Sequence, residues 1–157
     1  MEDSKKVIFK IADEEFGIDI SNVKGIERQI NIVGVPNRPS HILGIINLRG
    51  DVIPVYSMKA KFGQRESRQG ESKFIIINAN GLTLALKVDD VNEITEISSD
   101  NIFDLPPVVA SEDTEYVKNV ARIDKRLILM LNPGKLLSDE EYECINEMLE
   151  EHELQEA

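Results

Sequence analysis

An internal repeat constrains the fold of this 157-residue chain more than any other feature of its sequence. At a constant offset of 68, the apolar run 7–9 matches 75–77, and the alternating apolar residues of 16–20 match those of 84–88. At an offset of 75, segment 48–53 matches 123–128. Each half therefore reads as hairpin, turn, strand and hairpin, and each is too small to bury its own apolar strands. The pattern predicts a mainly β protein of two small barrels that share an interface.

The repeat also suggests where the halves begin and end. They span about 7–63 and 73–137, and the linker 64–72 between them contains no apolar residue. Together they form one domain, 7–137. A C-terminal segment, 138–157, follows and begins with a capping box at Ser138 and Glu141. Apolar residues spaced three and four apart then predict a helix that docks on the barrels; they are Tyr142, Ile145, Met148 and Leu149.

The most distinctive stretch is 44–55, which predicts a β-hairpin. Two β-branched runs flank its centre, where Gly50 and Asp51 supply the φ tolerance and side-chain bonding of a tight turn. Arg49 stands out because its guanidinium group, which is permanently charged and has five N–H donors, lies between a leucine and a glycine. We expect it either to pair locally or to be presented to a partner.

Three other local predictions concern shorter elements. Ser21 and Asn22 are suited to cap a short helical turn at 23–26, which Gly25 weakens. Segment 29–35 reads as a strand that ends before two prolines. Ser57 caps one or two helical turns in 57–63.

The charge of the chain is concentrated at its C-terminus. Of the net charge of −11, nine acidic residues and no basic ones fall in 139–157, which leaves 20 acidic and 18 basic residues in 1–138. A nearly neutral body argues against a nucleic-acid partner, which requires clustered Lys and Arg.

No apolar run approaches the length of a membrane span, and no leader is evident, so we expect a cytoplasmic protein. The lone Cys144 excludes an internal disulfide.

The residues needed for catalysis or metal binding are scarce. His41 and His152 are the two histidines, and neither has metal-ligand spacing. No glycine-rich phosphate loop or serine elbow is present. We therefore predict no enzyme, no cofactor and no metal.

A binding surface is the remaining functional candidate. Ile20, Val23 and Ile26 recur at intervals of three, and Val91 and Ile94 repeat the pattern. These residues form either core or the wall of a groove for a partner helix.

Four stretches together resemble the CheW family of chemotaxis coupling proteins: 14–20, 35–36, 44–55 and 88–94. The resemblance runs from about 7 to 137. It implies two intertwined five-stranded SH3-like β-barrels with short helices and a C-terminal helix.

The same resemblance implies an adaptor that links the cytoplasmic tip of a methyl-accepting chemoreceptor, a helical hairpin, to the regulatory domain of the histidine kinase CheA. Such a protein is associated with membrane receptor arrays without inserting into the membrane. Carried over by matching positions, the receptor-binding groove involves Val7, Ile20, Val23, Ile26, Arg49 and Val91. The kinase-binding residues stay open, as does the role of the acidic tail.

This chain departs from the family pattern at two positions. The family commonly has a glutamate where this chain has Gly25, and an aspartate where it has Ser57. Arg49 should then pair with Glu27 or Glu93, or stay free for the receptor. Two alternatives remain: the coupling domain of an adaptor that works with a receiver domain, and a small-ligand module on paired barrels.

Overall fold

Strands dominate the structure, a computed structural model that describes residues 4–28, 30–36, 39–62, 73–106 and 115–156. The strands are β1 (Ser4–Ile11), β2 (Glu14–Asp19), β3 (Val23–Arg28), β4 (Ile42–Leu48), β5 (Asp51–Ser57), β6 (Lys73–Ala79), β7 (Leu82–Val88), β8 (Asp90–Ile97), β9 (Ile102–Phe103), β10 (Val117–Ile123) and β11 (Arg126–Leu131). The helices are α1 (Met58–Lys61) and α2 (Asp139–Glu156). The predicted linker 64–72 lies outside the described residues.

The strands form two sheets, which confirms the predicted mainly β class. The six-stranded sheet has the order β8-β1-β2-β11-β10-β9, and the five-stranded sheet has the order β3-β6-β7-β5-β4. Each sheet takes strands from both halves of the repeat. The hairpin β1–β2 joins the C-terminal strands through the parallel pair β2 and β11, and β6–β7 joins the N-terminal strands through the parallel pair β5 and β7. The halves thus exchange their first hairpins.

The repeat is visible in the backbone of the hairpin turns. Among the described residues, four non-glycine residues adopt positive φ angles, and each opens a two-residue turn: Ala12, Arg49, Asn80 and Asp124. Ala12 and Asn80 are 68 positions apart, and Arg49 and Asp124 are 75 apart, so the turns coincide with the two offsets of the sequence repeat.

The turn of the second hairpin lies one residue earlier than predicted. Arg49 and Gly50 are its central residues, with φ angles of 53° and 89°, and both angles are positive as a type I′ turn requires. Asp51 instead begins β5 and pairs with Leu48. The side-chain acceptor in the turn is Asn47, whose Oδ1 accepts a 3.1 Å hydrogen bond from the Gly50 amide.

A central core joins the two sheets. It contains Val7, Phe9, Ile11, Phe16 and Ile18 from the six-stranded sheet, and Ile42, Tyr56, Ile75, Ile77, Leu84, Leu86 and Val88 from the five-stranded sheet. Each sheet also has an outer cluster on its far face: Phe74, Ile76 and Ala85 with Ile46, Ile53 and Val55 in one, and Ile8, Ile97, Ala121, Ile128 and Met130 in the other. Successive strand residues alternate between the central core and an outer cluster, as the pleat requires.

Two of the shorter elements differ from the predictions. Residues 23–26 are not helical: a single 3-10 turn, Ile20–Asn22, leads directly into β3. The predicted strand at 29–35 is reduced, in its described part, to one bridge between Val33 and Ile45. Pairing with β6 therefore overrode the local spacing at 23–26, whereas the described part of 29–35 has no continuous strand partner.

The predicted caps of α1 and α2 agree with the structure, whereas Ser21 and Asn22 lie within the 3-10 turn and cap no helix at 23–26. Ser57 Oγ accepts a 3.0 Å hydrogen bond from the Ala60 amide at the start of α1. At α2, Ser138 Oγ accepts from the Glu141 amide, and Glu141 Oε1 accepts from the Ser138 amide, both at 3.1 Å. Ile145 of α2 is fully buried in the central core, so the helix docks on the body of the protein.

Candidate functional site

The edge strands β3 and β8 present partly exposed apolar side chains at the rim of the central core. On β3, Val23 lies opposite Ile77 and Ile26 lies opposite Ile75. Directly opposed residues of an antiparallel pair share a face, so both side chains lie on the central-core face. Ile26 is 36% exposed and Val23 is half-buried against the core.

Strand β8 repeats this arrangement in the other sheet. Val91 lies opposite Phe9, and Ile94 lies opposite Val7, both core residues. Ile94 is 53% exposed. We name the set Ile20, Val23, Ile26, Val91 and Ile94 the apolar edge surface. An ion pair between Lys73 of β6, the neighbour of β3, and Asp90 at the start of β8 connects the two sheets near this surface.

Val7 is one of the six predicted groove residues, but the structure places it inside the core. Its side chain is only 1% exposed, and it lies between Ile18 of β2 and Ile94 of β8. Val7 therefore packs beneath Ile94 of the apolar edge surface, and almost none of its side chain is accessible to a partner.

Arg49 is separated from the apolar edge surface by the sheet itself. Its Nη2 donates a 3.1 Å hydrogen bond to Glu27 Oε1. Glu27 lies opposite Phe74, a residue of the outer cluster, so its side chain leaves β3 on the face opposite to Ile26. The structure thus brings Arg49 to Glu27 and does not bring it to the apolar groove residues.

A cavity of about 550 Å³ surrounds the Arg49 pair. We name it the Arg49 cavity; its lining includes Lys24, Gly25, Glu27, Leu48, Arg49, Ile53, Ile76, Leu82 and Leu149. The turn of β6–β7 and helix α2 contribute walls, and Lys24 Nζ bonds to Thr83 Oγ1 at 2.6 Å across one side. The cavity therefore combines an apolar floor with charged groups at its rim.

Glu93, the other expected partner of Arg49, binds Arg126 instead. Arg126 Nη2 donates to Glu93 Oε1 at 2.7 Å and to Glu15 Oε2 at 2.6 Å, and its Nε donates to Glu15 Oε1 at 3.0 Å. The hydrogen bonds from Arg126 lower the pKa of the Glu15 carboxyl, despite a smaller opposing effect of burial. The two carboxylates in turn raise the pKa of Arg126.

His41 forms a structural contact with α2. Its Nδ1 lies 3.0 Å from Glu141 Oε2, and its ring packs edge-on against Tyr56 at 5.9 Å. Burial raises the pKa of the Tyr56 phenol, and the nearby Glu141 charge adds to the effect. His41 thus fixes the first turn of α2 to the body, and this contact does not bring it together with a set of converging carboxylates.

The described residues also bear on metal binding and membrane insertion. In that part of the chain, no group of three or more His, Cys, Asp or Glu side chains is arranged to hold a metal ion. Its helices are also too short or too polar to cross a membrane.

Sequence reasoning missed some exposed apolar residues. Phe103 of β9 is 44% exposed beneath the Arg122 guanidinium, and Leu127 of β11 is 65% exposed. Neither belongs to a motif or a spacing that would have singled it out. Ile94 is different, because the repeat had already matched it to Ile26.

Comparison with known proteins connects these features to one family. The sequence model of the CheW-like domain matches residues 5–141. Curated relatives include the chemotaxis protein CheW of Klebsiella aerogenes, 28% identical over 93% of this chain and 89% of that protein. The corresponding Helicobacter pylori protein is 29% identical over 87% of this chain and 85% of that protein. The crystal structure of the scaffolding protein TtCheW from Thermoanaerobacter tengcongensis superposes with a TM-score of 0.77 at 35% identity, over 83% of this chain and 90% of that one.

Proposed function

This chain belongs to the CheW-like domain family, and from that premise we propose that it is a non-catalytic chemotaxis scaffold linking the cytoplasmic tip of methyl-accepting chemoreceptors to the histidine kinase CheA. The observation that carries the proposal is the family match over residues 5–141, together with the structural similarity to the scaffolding protein TtCheW. Curated relatives named chemotaxis proteins support it.

The apolar edge surface is the part of this molecule best suited to the receptor. A receptor tip is a helical hairpin, and an amphipathic helix binds by burying an apolar stripe in a groove. Ile20, Val23 and Ile26 on one edge, with Val91 and Ile94 on the other, supply apolar area that is only partly covered by the protein itself. Burial of the exposed part of each side chain contributes on the order of 1 kcal/mol.

Arg49 has a different role in this proposal from the one that the sequence suggested. It lies on the opposite face of β3 and is paired with Glu27, so it does not orient the helix that covers Val23 and Ile26. We assign receptor binding to the apolar edge surface alone, with Val7 as its buried support.

The test measures binding to two partners separately, namely a receptor cytoplasmic fragment and the CheA regulatory domain. Val23→Asp places a charge where apolar surface must be desolvated, so we expect receptor binding to weaken by about tenfold or more. Val33→Asp is the matched control, because Val33 is 60% exposed and bridges to Ile45 of β4, at the other end of the strand order from β3. If the intact protein binds neither partner, the scaffold assignment is rejected.

A further inference from the structure

Arg28, the last residue of β3, borders the apolar edge surface. It lies directly opposite Lys73 of β6, and Lys73 lies opposite Val88 of β7, a residue of the central core. Directly opposed residues of an antiparallel pair share a face of the sheet. The side chain of Arg28 therefore leaves β3 on the same face as Val23 and Ile26.

Two cations share one carboxylate at this border. Lys73 forms an ion pair with Asp90 at the start of β8. The hydrogen bond from Lys73 lowers the pKa of the Asp90 carboxyl, and the charges of Lys73 and Arg28 add to this effect. Arg28 thus lies near Asp90, but it forms no ion pair with any carboxylate in the described part of the chain. This end of the surface therefore has an excess of positive charge.

The other end of the apolar edge surface has no such excess on the central-core face. There, Glu96 lies two residues beyond Ile94 on β8 and directly opposite Lys5 of β1. One negative and one positive side chain therefore balance at that end. The surface is consequently asymmetric in charge along its length.

Arg28 has the chemistry of an anchor for an acidic side chain. It is exposed, and its planar guanidinium can donate two parallel hydrogen bonds to one carboxylate. Its aliphatic stem can also cover apolar area beside Ile26. Arginine is enriched among the residues that dominate the binding energy of protein interfaces.

The spacing along β3 matches the spacing of a helix. The register of Ile26 and Arg28 with β6 is regular, because the bulge of β3 lies between Val23 and Gly25. Two strand residues span about 6.6–6.8 Å, and one helical turn rises about 5.4 Å. In a helix that lies along β3, a side chain three or four residues from the one that covers Ile26 therefore reaches Arg28.

We propose that Arg28 is a specificity-determining residue of the apolar edge surface and binds an Asp or Glu side chain of the receptor helix. The acidic residue lies three or four positions from the apolar residue that covers Ile26. Because only one end of the surface has an excess charge, this contact also sets the direction in which the helix lies. The inference rests on the proposed scaffold function, which makes the receptor helix the occupant of this surface.

The test changes the charge of Arg28 in two ways. Arg28→Glu repels an acidic partner residue, whereas Arg28→Gln removes the positive charge without adding a carboxylate beside Asp90. Lys135→Glu is the matched control for the charge reversal. Lys135 is exposed and lines a cavity with Ala79, at the opposite end of β6 from Lys73.

Dissociation constants are measured for the receptor fragment and for the CheA regulatory domain. We expect Arg28→Glu to weaken receptor binding by about tenfold or more and Arg28→Gln by about threefold, with CheA binding unchanged. Lys135→Glu should bind the receptor fragment as the intact protein does. The loss caused by Arg28→Glu should shrink at high salt, because salt screens exposed charges.

Charge reversal on the receptor side identifies the partner residue. Acidic residues of the receptor helix are replaced by Lys one at a time. One of these replacements should restore binding to Arg28→Glu, and its position should be three or four residues from an apolar residue of the helix.

The outcomes separate the two proposals. If the intact protein binds both partners and neither Arg28 variant weakens receptor binding, the Arg28 inference is overturned and the scaffold function stands. An equal loss with Lys135→Glu also overturns it, because the effect would then follow from net charge alone. A loss of CheA binding in place of receptor binding overturns it as well. An intact protein that binds neither partner overturns both proposals.

Discussion

The Glu93 carboxylate accepts a 2.7 Å hydrogen bond from Arg126, although β1 and β2 separate their strands in the six-stranded sheet. Glu15 of β2 lies between them and binds the same guanidinium twice. The cluster therefore connects three strands: β2 of the exchanged hairpin, its parallel neighbour β11, and β8 at the edge of the sheet. Its contribution to stability should depend on the charge of both carboxylates.

The first prediction concerns acid stability. The pKa of Glu15 is lowered in the folded protein from its usual 4.5, so this carboxyl stabilises the fold above that pH, and the contribution is lost as the pH falls through the folded-state pKa. Arg126→Gln should cost about 1 kcal/mol near pH 7, and the difference from the intact protein should shrink as the pH falls below 4.5 and through the lowered folded-state pKa of Glu15. Urea unfolding across this range is the measurement. Lys125→Gln, an equal charge change in the exposed adjacent turn, should show no such dependence.

The second prediction concerns the turn at Arg49. Asn followed by Gly is the preferred pair for a type I′ turn, and the ion pair with Glu27 is largely exposed and worth little. Arg49→Asn should therefore raise the free energy of unfolding by about 0.5–1 kcal/mol. Thermal unfolding checks this. A lower stability would show that the pair with Glu27 outweighs the backbone strain.

The third prediction concerns a close backbone contact. A Cβ at Gly44 would collide with the carbonyl oxygen of Val33, which bridges to Ile45 from the neighbouring segment. Gly44→Ala should cost more than about 2 kcal/mol, because both the steric clash and the positive φ oppose the new methyl group. Gly34→Ala, where the added atom meets open space, is the control. Similar unfolding midpoints for the two variants would contradict the prediction.

The fourth prediction concerns the docking of α2. Ile145 is fully buried in the central core, so Ile145→Ala should destabilise the protein by about 2–4 kcal/mol. Leu127→Ala removes a leucine that is 65% exposed and should change stability by less than about 0.5 kcal/mol. Denaturant unfolding compares the two. A small effect at Ile145 would mean that α2 detaches without disturbing the core.

The sequence predicted the caps of α1 and α2 correctly because these caps depend on neighbouring residues, and it revealed the repeat because equivalent apolar residues recur at fixed offsets. Ser57 and Ser138 satisfy amides within three residues, so their role can be read locally. The strand at 23–28 could not be predicted from the spacing of its own residues. Val23 and Ile26 are three apart, a separation that places residues on opposite faces of a regular strand.

A bulge explains the spacing that suggested a helix. The register of β3 with β6 shifts between Val23 and Gly25, so one extra residue returns Ile26 to the face of Val23. The same shift occurs in β8 between Val91 and Glu93. Sequence patterns do not reveal bulges, and they do not reveal which strand neighbours which. The sequence resemblance assigned Arg49 to the receptor-binding groove. In the structure, Arg49 pairs with Glu27, on the face of β3 opposite to Ile26.

The exchange of hairpins has a consequence for how the protein is made on the ribosome. Strand β2 is synthesised early, but its parallel neighbour β11 follows more than 100 residues later, with Phe16 opposite Leu129. At roughly 5–20 residues per second, the nascent first hairpin waits on the order of 5–20 seconds with one edge unpaired. Such long-range pairing slows folding. The six-stranded sheet is therefore complete only after β11 has been synthesised, and until then the free edge of β2 can pair with other strands.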